Sequence, residues 1–230
     1  MHTPTTGGTA PGQSVPAGPT GARGVREQVK LRRPGEIITA AYEEFSQNGF
    51  AATRLEDVAR RIGVTKGTIY IYFQSKEELF RAVVRSLSTP ILDRAAEFTA
   101  SFSGSSAELL RQHLQNMYRD ICSDPHAPGL LRLLIAEGAK FPELVDFYHR
   151  EVVDRALQII SNVLTRGVAR GEFRADVPID HPQIYTAPIL MLAIDKMMRG
   201  TGTQDEVCIE SHIDAHIKIV LAALCPMAAI

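Results

Sequence analysis

The chain has 230 residues, 45% of them hydrophobic and 22% charged, which is enough apolar side chain for a substantial core and excludes a disordered polymer. Its net charge of -1 hides an asymmetry: residues 1–84 carry 11 Lys/Arg against 8 Asp/Glu, and the remainder 14 against 18, so the front is +3 and the back -4, a modest basic bias at one end. Cys122, Cys208 and Cys225 are odd in number and widely spaced, which excludes a disulfide framework or a zinc site and suits a reducing cytoplasm.

No apolar run reaches the roughly 18 to 20 residues needed to cross a bilayer, and no charged region followed by an apolar one opens the chain, so neither a membrane span nor secretion is expected. No G-x-S-x-G, H-E-x-x-H, C-x-x-C or phosphate-binding glycine loop occurs, so an enzymatic reading has no motif behind it and no cofactor is expected.

Residues 1–24 hold six Gly and four Pro with few large apolar side chains, a composition that predicts a flexible tail. The tail turns basic at Arg23, Arg26, Lys30, Arg32 and Arg33. Such an arm can follow DNA phosphates or enter a minor groove, and it can equally be a solvated leader. Residues 1–33 are therefore assigned to the tail. Pro34 is expected to open the first helix, with Ile38, Ala41, Tyr42 and Phe45 on one face and Asn48-Gly49 as its stop.

Thr53 with Glu56 has the form of a capping box, and Leu55, Val58, Ala59 and Ile62 make the apolar face of a short second helix. Gly63 supplies a left-handed turn, Val64 an apolar plug, and Thr65 a cap for a third helix from Lys66 to about Tyr72. Ser75 with Glu78 starts a fourth, with Leu79, Phe80 and Val83 facing inward. Helix, tight turn, helix is the motif that results.

In helix phases, turn glycine and the closing F-x-S-K-E pattern, residues 33–84 resemble the DNA-binding domain of the tetracycline-repressor (TetR) family of bacterial regulators. The resemblance covers roughly a quarter of the chain and is specific as a set of motifs. It implies a helix-turn-helix domain over 34–82. There Lys66 and Gly67 would meet base edges, and Thr53, Thr65, Thr68, Tyr70, Tyr72 and Lys76 would mainly position the DNA backbone. Ile71 departs from the polar or aromatic reader that many relatives carry and is suited to a thymine methyl. For Tyr70 and Tyr72 the competing role is core packing.

Behind the head the punctuation is helical throughout and no segment alternates like a strand. Helices are expected from Lys76 to near Gly104 with a bend at Pro90, then over 106–123, 129–140, 142–170, 182–199 and 204–224. The fold class is all-α, about nine helices: the three-helix head and a helical bundle over 83–230 for effector binding and dimerisation. The resemblance implies an effector pocket in that bundle, with Phe98, Phe102, Met117, Tyr118, Tyr148 and Val152 as candidate lining, although any one of them is more often ordinary core. His113, His126 and His149 lack metal-ligand spacing.

The same resemblance implies a homodimer through the last two helices, by way of Ile184, Met191 and Ile194 on one and Ile213, Ile217, Val220, Leu221 and Leu224 on the other. The competing role is completion of the monomer's own core. The expected function is a cytoplasmic regulator of operator DNA, a repressor released by a small, largely apolar effector through a change in the spacing of its two heads. The alternatives are an activator, or a DNA-binding protein of nucleoid type without an effector.

Overall fold

The computed structural model describes residues 20–123, 126–199 and 206–226. Among these every regular element is helical: α1 (Thr20–Ala52), α2 (Leu55–Arg61), α3 (Lys66–Tyr72), α4 (Lys76–Ser101), α5 (Ser106–Ser123), α6 (Ala127–Glu137), α7 (Pro142–Tyr148), α8 (Asp154–Ala169), α9 (Ala187–Arg199) and α10 (Glu206–Leu224). A π-helical turn over His149–Val153 joins α7 to α8 without leaving helical backbone, so the two make one rod and the described chain has nine.

The first expectation to fail is the start of α1. Its helix begins at Thr20 and runs through Pro34, so the basic segment 23–33 is helix rather than leader; residues 1–19 of the expected tail lie outside the described residues. Residues 26–33 are mostly Arg, Glu, Gln, Lys and Leu, good helix formers that favour propagation of the helix through this segment. Gly49 does break α1, at φ 80 and ψ 163, a region open to glycine.

The second helix ends as the sequence suggests. Gly63 sits at φ 66, its N–H donates to the Arg60 carbonyl and that of Val64 to the Ala59 carbonyl, the paired bonds of a Schellman motif. Its start differs: Arg54 is the N-cap and Asp57 accepts from the Arg54 N–H at 3.1 Å. Thr65 caps α3 by accepting from the Thr68 N–H at 3.3 Å, and Ser75 caps α4 by accepting from the Glu78 N–H at 3.1 Å. The α4 helix carries Pro90 on an exposed face.

The apolar residues form two cores. One joins the head to α6 and α7: Ile37, Ala41, Phe45, Phe50, Val58, Ile69, Leu79 and Phe80 pack with Leu130, Leu133, Leu144 and Phe147. The other joins α5, α8, α9 and α10 through Leu110, Leu114, Tyr118, Ile160, Val163, Leu164, Ile189, Ile217 and Leu224. The long α4 contributes to the first core and packs along α8.

Candidate nucleic-acid interface and effector cavity

A reading helix has to be held rigidly by residues that do not themselves read. Arg61, at the end of α2, donates from Nε to Glu44 and from its two terminal nitrogens to Glu43 and Gln47, all at 2.7 to 2.8 Å, and so pins α2 to α1. Ile69 is the fully buried residue of α3. With Phe73 it fastens that helix to the head core and leaves the opposite face free.

That face carries Thr65, Lys66, Gly67, Tyr70 and Ile71, all exposed. Ile71 is 74% and Tyr70 44% exposed, so Tyr70 is not a core residue and Ile71 stands largely open to solvent. Thr68 is half-buried, its hydroxyl 3.0 Å from that of Thr65; Tyr72 is half-buried against the head core. The Lys66 ammonium pairs with Glu56 on α2 and lies 5.5 Å from the Tyr70 ring centre. The pairing, chiefly its hydrogen bond, raises the Lys66 pKa and lowers that of Glu56.

Two expected DNA contacts turn out to serve the scaffold. Thr53 is 2% exposed, and its hydroxyl donates to the Gly49 carbonyl at 2.7 Å and to that of Glu44 at 3.2 Å. Lys76 turns inward: its ammonium donates to the carbonyls of Phe50, Ala51 and Thr53 at 2.6, 3.2 and 3.0 Å and lies 4.4 Å from the Phe50 ring centre. All three protons are committed to orphan carbonyls after the Gly49 break, so none is left for phosphate. Burial pushes the Lys76 pKa down. Two further residues carry no motif that marks them for this surface: Arg54, whose exposed side chain stands at the N-terminus of α2, and Glu56 as the partner of Lys66.

Where the two cores fail to merge, a cavity of about 200 Å³ opens between α4, α5, α6 and the π-helical turn. Leu87, Ile91, Leu92, Met117, Ile121, Leu130, Tyr148, Val152 and Ala156 give it apolar walls, with Ser88 and Asp120 as the other polar groups. Burial raises the Tyr148 pKa, so its phenol stays neutral at ordinary pH. Three expected lining residues are here, Met117, Tyr148 and Val152. The other three are not: Phe98 and Phe102 pack against each other with their rings tilted, beside His113, and Tyr118 is fully buried with its hydroxyl 3.0 Å from Nδ1 of His216. A wider groove of about 870 Å³ lies outside α4, open to solvent, with Ile38, Ala82, Pro90 and Phe147 in its walls and Arg81, Arg85, Arg150 and Glu151 among them.

The expected dimer face also needs correction. Ile217, Val220 and Leu224 are core, at 0%, 6% and 1% exposure, and Ile213 and Leu221 pack against them. Ile194 is half-buried. Among the described residues of this region, the large apolar side chains left exposed are Ile184, Leu190, Met191 and Met198 on or beside α9 and Ile219 on α10.

A helix-turn-helix head with a solvent-facing second helix, carried on an all-helical bundle, is the architecture of a DNA-binding transcriptional regulator. Residues 37–83 match the family model described as bacterial regulatory proteins, tetR family, and residues 103–215 match the tetracyclin repressor-like C-terminal domain. The chain is 30% identical over 158 residues to the HTH-type transcriptional regulator YfiR of Bacillus subtilis, spanning 67% of this chain and 75% of that one. It superposes on a putative TetR-family regulator from Mesorhizobium loti with a TM-score of 0.68 at 24% identity, covering 85% and 98% of the two chains. It superposes also on FadR of Bacillus subtilis, solved with stearoyl-CoA, with a TM-score of 0.65 at 19% identity, covering 82% and 97%. The chain belongs to the TetR family of helix-turn-helix transcriptional regulators.

Proposed function

We propose that this regulator binds operator DNA as a homodimer and represses until a small, largely apolar molecule enters the bundle cavity. The observation that carries the reading is the free face of α3: Thr65, Lys66, Gly67, Tyr70 and Ile71 project from a helix whose other side is locked into the head core. Hydroxyl and ammonium donors suit phosphates and guanine edges, and Ile71 suits a thymine methyl. Residues 34–82 act as the DNA-binding unit and 83–230 as the effector and dimer unit, working in the cytoplasm and without catalysis.

The cavity supports the ligand-responsive half of the reading. Its walls are apolar, and the structural neighbour FadR holds stearoyl-CoA. At about 200 Å³ it admits a small molecule or one end of a longer one, since whole drug-sized ligands occupy roughly 300 to 1,000 Å³. It touches α4, which begins at the reading surface, so a ligand that fits better with α4 displaced shifts the spacing of the two heads. Half-sites for such a dimer lie roughly 34 to 36 Å apart or a multiple of that.

The test uses an operator selected from random-sequence DNA and any molecule that copurifies with the bundle. The reading expects that molecule to release operator, and expects Ala156→Phe, which fills the cavity, to bind operator normally while no longer responding. Release undiminished in Ala156→Phe would move the effector site elsewhere. Failure to select any preferred sequence would leave a DNA-binding protein of nucleoid type.

A further inference from the structure

A surface built to meet a polyanion gains nothing from a carboxylate beside its lysine, yet Glu56 sits there with its side chain 42% exposed, holding Lys66, itself 50% exposed. Stability does not account for the pair, because an exposed ion pair contributes little. Nor is the pair needed to hold α3 in place, since Ile69 and Phe73 already fasten that helix to the head core. Other carboxylates of the head hold its parts together: Glu43 and Glu44 take Arg61, Asp57 takes the Arg54 N–H and Arg60, and Glu78 takes the Gln74 N–H. Glu56 takes its own backbone N–H and, across to α3, the residue that reads.

We propose that Glu56 is a specificity-determining residue, which withholds Lys66 from DNA phosphates and presents it to the major groove as half of a donor–acceptor pair. The proposal rests on the reading that α3 enters that groove. A free lysine binds any phosphate within reach, adding affinity for every sequence alike. A lysine already paired gives up its partner only where the exchange is made good. A guanine accepts from the ammonium at O6 and N7, and a neighbouring cytosine donates from N4 to the carboxylate. Phosphate oxygens satisfy the ammonium and repel the carboxylate. The pair bridges α2 and α3, so both helices of the motif share one reading unit.

The experiment measures binding of wild type, Glu56→Gln, Lys66→Ala and the double variant to selected operator and to random duplex DNA at several salt concentrations. For Glu56→Gln, random-DNA affinity is expected to rise and its salt slope to steepen by about 0.9, the signature of one new phosphate contact. Operator preference should narrow by about fivefold or more, the lower end of one base contact. Selection from random DNA with this variant should lose the G·C requirement at the position that Lys66→Ala also relaxes. In the Lys66→Ala background the Glu56→Gln change should leave the salt slope unaltered.

An equal gain for operator and random DNA, or the same steepening without Lys66, would mean that Glu56 acts only as bulk negative charge, and the proposal fails. If Lys66→Ala leaves operator affinity and preference unchanged, the reading of α3 falls first. Both side chains are half-exposed, and unchanged melting temperatures separate these outcomes from misfolding.

Discussion

Lys76 shows how far a residue's type is from its role. A lysine at the head of α4, next to a proposed reading helix, has the chemistry of a phosphate contact, and the sequence gives no sign that three carbonyls wait behind it. The structure turns it inward because α1 ends at Ala52, which leaves the carbonyls of Phe50, Ala51 and Thr53 without helical partners. Lys76→Met is expected to lower stability by about 1 to 3 kcal/mol, the cost of unpaired polar groups. The salt dependence of DNA binding should stay unchanged; a slope smaller by about one would make Lys76 a phosphate contact after all. His113 gives a second residue-scale expectation. Burial lowers its pKa to about 4 from 6.5, so the unfolded chain takes up this proton first. Stability is whole above pH 6.5 and is lost as pH falls from there towards 4, on the order of 2 kcal/mol by pH 5. Thermal melts at pH 7.5 and 5.0 should show a smaller acid loss for His113→Gln than for wild type. An equal loss would assign the acid sensitivity to other groups.

At the scale of elements, the caps were legible because their chemistry is local. The Ser75 and Thr65 caps and the Gly63 turn each need only a few consecutive residues, and all three stand where the sequence placed them. The start of α1 was not, because residues 26–33 have helix propensity but no apolar stripe to reveal it. Nor was the docking of α1 on α6, where residues 84 and 86 apart meet: the Tyr42 hydroxyl donates to the His126 carbonyl at 3.0 Å, and the Glu137 carboxylate accepts from the Ala51 N–H at 2.7 Å. Gly129 makes this contact close. A methyl group there would come 2.5 Å from the Tyr42 hydroxyl and 2.9 Å from that of Ser46. Gly129→Ala is expected to cost about 1 to 3 kcal/mol by overpacking and to raise hydrogen exchange in α6. Unchanged exchange would show that Tyr42 moves aside freely.

For the whole molecule, hydrophobic periodicity found the apolar faces of the last two helices and could not tell whether they meet each other or a second copy. The Ile217, Val220 and Leu224 face closes the monomer's own core, and Met191, Met198 and Ile219 remain outside. We propose the dimer through that outer set. Met191→Glu should then yield a folded monomer with weakened operator binding, whereas Ile217→Glu should unfold the bundle, since burying an unpaired charge is costly. Light scattering with circular dichroism separates the two, and a dimeric Met191→Glu would put the interface elsewhere. The cavity was half legible for a related reason: Met117, Tyr148 and Val152 among the six candidate lining residues stand at it, while only the arrangement of the two cores shows which apolar faces leave a gap between them. Ligand-relieved repression makes one quantitative demand on the assembled protein. Binding free energies of two coupled ligands are reciprocal, so the measurement is operator affinity with the cavity ligand saturating, set against ligand affinity with operator saturating. The two affinities should fall by the same factor, typically between about 5-fold and 150-fold; an operator affinity that stays constant while the cavity fills would contradict the mechanism.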